Sequence, residues 1–314
     1  MQPLVSCIIP TYNRANFVER AIQSVLNQTY KNIEVIVVDD GSEDNTKEVV
    51  LSIKNERIKY IRLHRNFGAA FARNVGIANA NGDFIAFLDD DDYFLPEKIE
   101  KQVELMLKDS SVGVCYTEVY HEVEDGKLIY KISPRVRGKI YEVLLAPPRD
   151  AFLQLPTILV RKDLLYRNNL RFDESKKVAE DTKFMIELSK ISNFDFIPLP
   201  LCVIDRRKDT SGASRGGLAV DIMLKDKIEF YEEFKPEFFR LFGSSYVSRL
   251  YNRLAWTVYY RYRKKGLAAK LLFKSSFETR SLKDLLRAIS VILGLYERYM
   301  LRKYGRNNLD EFMI

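Results

Sequence analysis

The sequence predicts an α/β fold: a doubly wound, mainly parallel sheet flanked by helices, with a C-terminal helical extension. Two observations predict it. Over the first hundred residues, short apolar runs alternate with amphipathic stretches of helical period, joined by connections of 2–7 residues. From Leu218 to the end the alternation stops and a polar–apolar helical period takes over.

Residues 5–9 are an apolar run closed by Pro10, the form of a strand buried on both faces. Phe17, Ala21 and Val25, with Val18, Ile22 and Leu26, repeat at i+4 and make one face of a helix. Residues 33–38 read as a second buried strand and 44–53 as a second helix, with Ser42 or Asp44 available as N-cap. A third strand (58–63) and helix (69–80) follow, then a fourth strand (84–88) and a helix reaching Leu107, with Pro96 in its first turn where proline is tolerated.

Past residue 112 the pattern changes. Residues 114–120 and 127–132 flank Glu124-Asp125-Gly126, a hairpin turn. Residues 133–160 are loop-rich, with Pro134, Pro147, Pro148 and Pro156. Helices are expected at 162–169 and 181–191 and a strand at 196–204, before a run of turn formers at 209–217. The tail should break at Pro236, Gly243, Gly266 and Gly294. Two regions result, a sheet domain at 1–217 and a helical one at 218–314.

Composition excludes several classes. With 46% hydrophobic and 30% charged residues among 314, most of the chain has enough apolar material to fold. The net charge of +7 conceals an asymmetry: residues 245–314 carry +10 and the first 244 carry −3. Nucleic acid, an anionic membrane or an acidic partner would each suit such a tail. Cys7, Cys115 and Cys202 are too few and too scattered for a disulfide framework or zinc cluster, and fit a reducing cytosol. The N-terminal uncharged stretch ends at Arg14 and contains Pro3, Pro10 and Asn13, so no signal peptide is expected. No uncharged run approaches the ~20 apolar residues of a membrane-spanning helix, which suggests a soluble or peripheral protein.

In open parallel sheets, ligands bind beyond the carboxyl ends of the strands. The four expected strands end in Thr11-Tyr12-Asn13, Asp39-Asp40-Gly41-Ser42, His64-Arg65-Asn66-Phe67-Gly68 and Asp89-Asp90-Asp91-Asp92. Such an acidic rim repels a bare phosphate but suits one bridged by Mg²⁺ or Mn²⁺, which prefer carboxylate oxygens. The simpler reading is a solvated turn and a capped helix N-terminus. Neither glycine-rich phosphate motif occurs, which counts against a dinucleotide enzyme or P-loop ATPase. His64 and His121 share no metal-ligand spacing and read as structural or surface residues.

Val-Ser-Cys-Ile-Ile-Pro-Thr-Tyr-Asn-Arg (5–14), Val-Val-Asp-Asp-Gly-Ser (37–42), Ala-Arg-Asn-Val-Gly-Ile (72–77) and Gly-Asp-Phe-Ile-Ala-Phe-Leu-Asp-Asp-Asp-Asp (82–92) resemble the family 2 glycosyltransferases. The resemblance is specific over residues 4–110, weakens toward 205 and is lost in the tail. It implies a GT-A fold and a nucleotide-diphosphate-sugar donor, with a UDP-sugar favoured. Residues 1–110 would then be the nucleotide-sugar half and 111–217 the acceptor half of a catalytic domain. Thr11 and Asp40 would contact the base with Tyr12 beside them, Asn13 and Asp90 would join that set, and Arg73 would lie near the pocket. Asp89 and Asp91 would form an Asp-x-Asp motif, Asp89 toward the ribose and Asp91 on Mn²⁺ or Mg²⁺. The family's base is the aspartate of a Glu-Asp pair opening a helix, which here is Asp181 after Glu180; without the resemblance Asp181 reads as a helix N-cap. Arg206, Arg207 and Lys208 would form a lid over the diphosphate.

Departures from the family pattern matter too. The histidine metal ligand that some relatives carry near residues 206–208 is missing, so a fourth protein group on the metal is in doubt. The Gln-x-x-Arg-Trp motif of processive synthases is absent, which implies a single transfer, with inversion carried over from the family. A nucleotidyltransferase and a non-catalytic nucleotide-sugar-binding protein are the alternatives. In the tail, Arg249, Arg253, Arg261, Arg263, Lys264, Lys265, Lys270 and Lys274 interleave with Tyr246, Tyr251, Trp256, Leu271, Leu272 and Phe273. That pattern suggests either docking of 245–314 on the cytoplasmic face of a membrane, near a glycan or lipid-linked acceptor, or a packing subdomain or homodimer surface. Nucleic acid becomes the weakest of the three partners.

Overall fold

The computed structural model describes residues 2–133, 135–145, 153–177, 179–207, 220–260 and 264–292. The first four strands form as their apolar runs predict: β1 (Val5–Thr11), β2 (Ile33–Asp39), β3 (Ile58–Arg62) and β4 (Phe84–Phe87). They pair in parallel in the order β3-β2-β1-β4, with β1 and β2 in register from Val5↔Ile33 to Thr11↔Asp39. Alternate residues of β1 feed opposite layers, Cys7 and Ile9 into one core and Ile8 into the other. Burial on both faces is why this strand shows no polar alternation.

The helices α1 (Ala15–Leu26), α2 (Thr46–Ser52) and α3 (Ala69–Ala78) connect these strands. α1 buries Val18, Ala21, Ile22 and Val25, the face its period predicts. α2 starts two residues later than expected, just past Asp44. Its carboxylate accepts the amides of Thr46 at 3.0 Å and of Ala15 at 3.1 Å, pinning two loops together. Ser42 is no cap either, since its hydroxyl accepts the Asn13 amide.

Beyond β4 the sheet becomes mixed. β5 (Tyr93–Phe94) and α4 (Lys98–Lys108) precede β6 (Val112–Glu122) and β7 (Leu128–Lys131), a hairpin turned by Asp125 and Gly126 at φ of 66° and 70°. α5 (Tyr141–Leu145), β8 (Ile158–Arg161), α6 (Lys162–Arg167), α7 (Glu180–Ile191) and β9 (Asn193–Asp205) complete this part. The order continues β4-β8-β6-β9-β5, with β8 antiparallel to both neighbours and β6 parallel to β9. Residues 158–160 were expected in a loop-rich stretch. Pro156 precedes a run of only four strand residues, too short for a period, yet Ile158, Leu159 and Val160 are wholly buried in mid-sheet.

The chain divides into two compact units, Met1–Leu218 and Ala219–Ile314. The second contains α8 (Val220–Phe242), α9 (Ser244–Tyr260), α10 (Lys265–Thr279) and α11 (Leu282–Ile292). The expected break at Pro236 does not occur. Proline forfeits one backbone hydrogen bond, but buried Phe234 and Phe238 hold the turns on either side to the same core. Gly243, at φ 76°, does end α8. Gly266 instead lies in the first turn of α10, and the next break is at Arg280, at φ 53°. Buried Asp284 ties three helices together, accepting from Ser248 and Asn252 of α9, both at 2.6 Å, and from Ser275 of α10. Tyr246, Tyr251, Trp256, Leu271 and Leu272, which the sequence offers as membrane-facing, are buried in this unit's own core. Arg261, Arg263, Gly294, Lys208 and the 209–217 loop lie outside the described residues.

Candidate active site

The strand order 3-2-1-4 switches direction between β1 and β4, and in open α/β sheets ligands bind beyond the carboxyl ends of the strands at such a switch point. Thr11 to Arg14 leave β1 there, and Asp89 to Asp92 follow β4.

The four aspartates are not equivalent. Asp89 and Asp91 are half-buried, whereas Asp90 and Asp92 are buried. The alternation leaves Asp89 and Asp91 partly exposed beyond the strand ends and turns the other two inward. Asp92 Oδ1 accepts the Asp205 amide at 2.9 Å, fastening the loop to the end of β9. Asp90, expected on the nucleotide, lies beneath the loop with Arg14 Nε at 3.9 Å. Burial, then repulsion from Asp91, pushes its pKa up to about 7, against the pull of the nearby Thr11 hydroxyl and Arg14. Burial and Asp89 push Asp91 up to about 6, although Arg14 Nη2 stands 3.2 Å from it.

Arg73 of α3 connects this loop to a distant helix. Its buried guanidinium donates to Asp89 at 2.7 Å and to Glu180, the first residue of α7, at 3.0 Å. The face of Phe172 lies 5.4 Å away, and the two carboxylates hold the guanidinium charged against the cost of burial. Asp181 is next in α7, close enough for its charge to act on Arg73. It does not occupy the N-cap, which falls to Ala179 in the left-handed region at φ 69°. A β-carbon there is strained, and the kink directs Glu180 and Asp181 as successive residues of the first turn.

The nucleotide-side residues are drawn together as well. Asp40 accepts the amides of Phe67 and Gly68 at 2.8 and 2.7 Å, so it organises the loop after β3. Burial raises its pKa, and those two bonds and Lys177 restrain the rise. Gly41 is required: at φ 84° a β-carbon would stand 2.7 Å from the Arg65 carbonyl carbon. Asn13, also at positive φ, accepts the Glu43 amide at 2.7 Å, which makes its side chain a brace between loops. Tyr12 is half-buried beside it. The Thr11 hydroxyl lies against the Asp90 carboxylate, and among the described residues the buried Arg73 Nε has no hydrogen-bond partner.

Arg206 and Arg207 stand at the end of β9. Arg206 donates to Gln154 at 3.2 Å, and Gln154 in turn contacts His121, a structural role for that histidine. Arg207 is bound to Asp205, and lies 3.5 Å from Glu122. Arg20 of α1 joins the same network, 3.0 Å from Asp205. Sequence reasoning passed over Arg14, Arg20 and Asp205. Arg14 was legible, because it closes the Pro-Thr-Tyr-Asn-Arg run; the Arg20–Asp205 pair spans 185 residues and leaves no local signal.

The donor set is oxygen only. Asp89 and Asp91 suit Mg²⁺ or Mn²⁺, which take one or two carboxylates and complete their shells with phosphate and water. Among the described residues no group of three or more His, Cys, Asp or Glu is arranged to hold a metal by itself.

The sequence model of the family described as Glycosyl transferase family 2 matches residues 6–167. An uncharacterized glycosyltransferase of Rickettsia typhi is 35% identical over 197 residues, 62% of this chain and 61% of that protein. The chain therefore spans less than two thirds of that relative. The UDP-Glc:alpha-D-GlcNAc-diphosphoundecaprenol beta-1,3-glucosyltransferase WfgD of Escherichia coli is 47% identical over 133 residues, 42% of this chain and 52% of WfgD. Among solved structures, S. aureus TarS 1–349 in complex with UDP-GlcNAc superposes with a TM-score of 0.66 at 21% identity, covering 96% of this chain and 93% of that one. The mannosyltransferase PcManGT of Pyrobaculum calidifontis, in complex with GDP-Man and Mn²⁺, superposes at 0.56 with 19% identity, covering 99% and 86%.

Proposed function

From the premise that the chain belongs to glycosyl transferase family 2, we propose that it moves one sugar from a nucleotide-diphosphate donor, a UDP-sugar, to a hydroxyl of a lipid-linked glycan. Its fold is GT-A-like. Residues 1–110 would take the donor and 111–217 the acceptor, with 218–314 as a helical accessory.

The observation that carries this reading is the Arg73 bridge. One guanidinium holds the Asp89 loop and the start of α7 together, which supports a reading in which the donor edge and Asp181 serve one site. Asp181 would accept the proton of the acceptor hydroxyl as its oxygen attacks the anomeric carbon. A single displacement from the far side inverts that carbon. The buried Arg73 Nε, without a partner among the described residues, leaves one further donor beside that edge. Asp89 and Asp91 would hold Mn²⁺ or Mg²⁺, which supplies a Lewis acid for the charge gathering on the leaving diphosphate. For Arg207 to serve the diphosphate it must exchange Asp205 for the donor.

Support for the acceptor class comes from WfgD, named for a diphosphoundecaprenol-linked acceptor. No helix among the described residues is long and apolar enough to cross a membrane. On this proposal the enzyme works on such an acceptor as a peripheral protein of the cytoplasmic face.

The test is Asp181→Asn, a change of charge with little change of shape. Release of UDP or GDP from a panel of UDP- and GDP-sugars should fall by about 10²–10⁴, while nucleotide binding, followed by thermal shift, persists. Unchanged release would remove Asp181 as the base.

A further inference from the structure

α11 is apolar on two opposite sides. Ala288 and Val291, with the hydrogen-bonded Asp284 beside them, face the core of the second unit. Leu282, Leu286 and Ile289, spaced i, i+4, i+7, form a line on the other side, with Leu282 68% and Leu286 58% exposed. A soluble helix normally keeps that second side polar. Its neighbour α10 does the same: Phe273 and Phe277 follow Lys270 along one line, and Phe277 is 88% exposed. The short turn at Arg280 and Ser281 brings the ends of the two stripes, Phe277 and Leu282, to one end of the hairpin.

The charge around these side chains has one sign. Lys265, Lys270, Arg280 and Lys283 are exposed on the hairpin. Its two acids are withdrawn: Asp284 is buried, and Glu278 is held by Lys235 at 2.9 Å and by Tyr251 at 3.2 Å. An exposed aromatic and leucine stripe edged by cations with no exposed acid complements a surface that is apolar beneath and anionic above.

We propose that the outer face of the α10–α11 hairpin docks on an anionic phospholipid bilayer, with Phe277, Leu282 and Leu286 entering the acyl boundary and Lys270, Arg280 and Lys283 meeting the headgroups. Docking there would hold the enzyme beside the lipid-linked acceptor proposed above, the reading on which this purpose rests. The membrane-facing residues are thus not the tyrosines and tryptophan that the tail's composition suggests, because those fill the unit's interior.

The full chain should co-sediment with phosphatidylglycerol-containing vesicles and far less with phosphatidylcholine alone. Phe277→Glu with Leu286→Glu should abolish that binding while the far-UV circular dichroism and thermal midpoint stay unchanged, since both sites are exposed. Lys283→Gln should weaken it about fivefold, the worth of one near-surface cation. Phe277→Trp should still bind, and its added indole should shift its emission to the blue on anionic vesicles, against the constant background of buried Trp256. Equal vesicle binding by the double variant overturns the proposal. So does a double variant that turns a dimer into a monomer, in light scattering, while the native protein ignores vesicles; the face would then belong to a second copy. Sugar transfer to a detergent-dispersed acceptor is read separately. Its absence beside intact vesicle binding would fault the glycosyltransferase reading and leave the docking face standing.

Discussion

Arg73 donates to Asp89 across 2.7 Å, binding α3 to the loop that follows β4, and its other terminal nitrogen reaches Glu180 at 3.0 Å. A lysine ammonium has no fork with which to span two carboxylates. Arg73→Lys should therefore release one of them, and Glu180, whose pKa burial already raises, is the more costly to leave unpaired. Breaking a buried pair costs about 3–5 kcal/mol, and retention of the cation should keep the loss near the lower end. Urea unfolding measures that loss, and nucleotide release should drop with it. A variant as stable and as active as the native protein would show the bridge to be idle.

Arg14 lies 3.2 Å from Asp91 and 3.9 Å from Asp90, where it balances part of their mutual repulsion. A divalent ion on Asp91 has to share or displace that guanidinium. Arg14→Met should consequently raise the Mn²⁺ affinity of the donor-free protein, by about tenfold if one unit of carboxylate pKa is at stake. Electron paramagnetic resonance of free Mn²⁺ counts the bound ion directly. Weaker Mn²⁺ binding in the variant would mean that Arg14 organises the loop and does not compete for it.

What the sequence discloses follows from how local each signal is. β1 to β4 and their polar ends were legible because each buried strand is a continuous apolar run and each ends in a polar cluster. β8 was not, since four residues after a proline carry no period and owe their conformation to the neighbours on either side. Within Asp89–Asp92 composition alone offers four equal carboxylates and the family motif singles out Asp89 and Asp91; the turn of the backbone leaves those two partly exposed and buries Asp90 and Asp92. The Arg207–Asp205–Arg20 network depends on contacts across 185 residues, so Arg207 reads as a free lid cation in sequence and as a paired one in the fold.

Gly41 and Gly126 both adopt positive φ, 84° and 70°, yet substitution should cost very different amounts. At Gly126 nothing lies within 4 Å of a new β-carbon, so alanine should lose only the left-handed penalty of about 1–2 kcal/mol. At Gly41 the β-carbon meets Arg65 backbone at 2.7 Å, which must move, and that backbone leads into the loop whose amides Asp40 holds. Gly41→Ala should cost more than Gly126→Ala in urea unfolding and should also weaken nucleotide binding in thermal-shift titrations. Equal costs would mean that the 65–68 loop yields freely.

Lys98 is wholly buried at the start of α4, where Nζ donates to Gln102 at 2.8 Å and lies 4.1 Å from the centre of the Phe94 ring. Burial lowers its pKa from 10.5 to about 8, against a small upward pull from Cys202, Cys7 and Cys115. The folded state therefore binds this proton less tightly than the unfolded state. Between pH 8 and pH 10.5 the unfolded chain holds more protons at this site, so its contribution to stability rises with pH across that window. Below it the charged ammonium costs the fold about 3 kcal/mol. Lys98→Met removes that cost but leaves the Gln102 carbonyl unsatisfied, a loss of about 1–2 kcal/mol. The variant should thus be the more stable protein at pH 7 and the less stable one above pH 10.5, with the two curves crossing in between. The buried thiols, pushed up to about 12, lower stability above pH 9 in both proteins and leave the difference between them largely untouched. Urea unfolding of the pair at a series of pH values measures the crossing, and a difference that stays flat with pH would mean that Lys98 keeps an ordinary pKa in the fold.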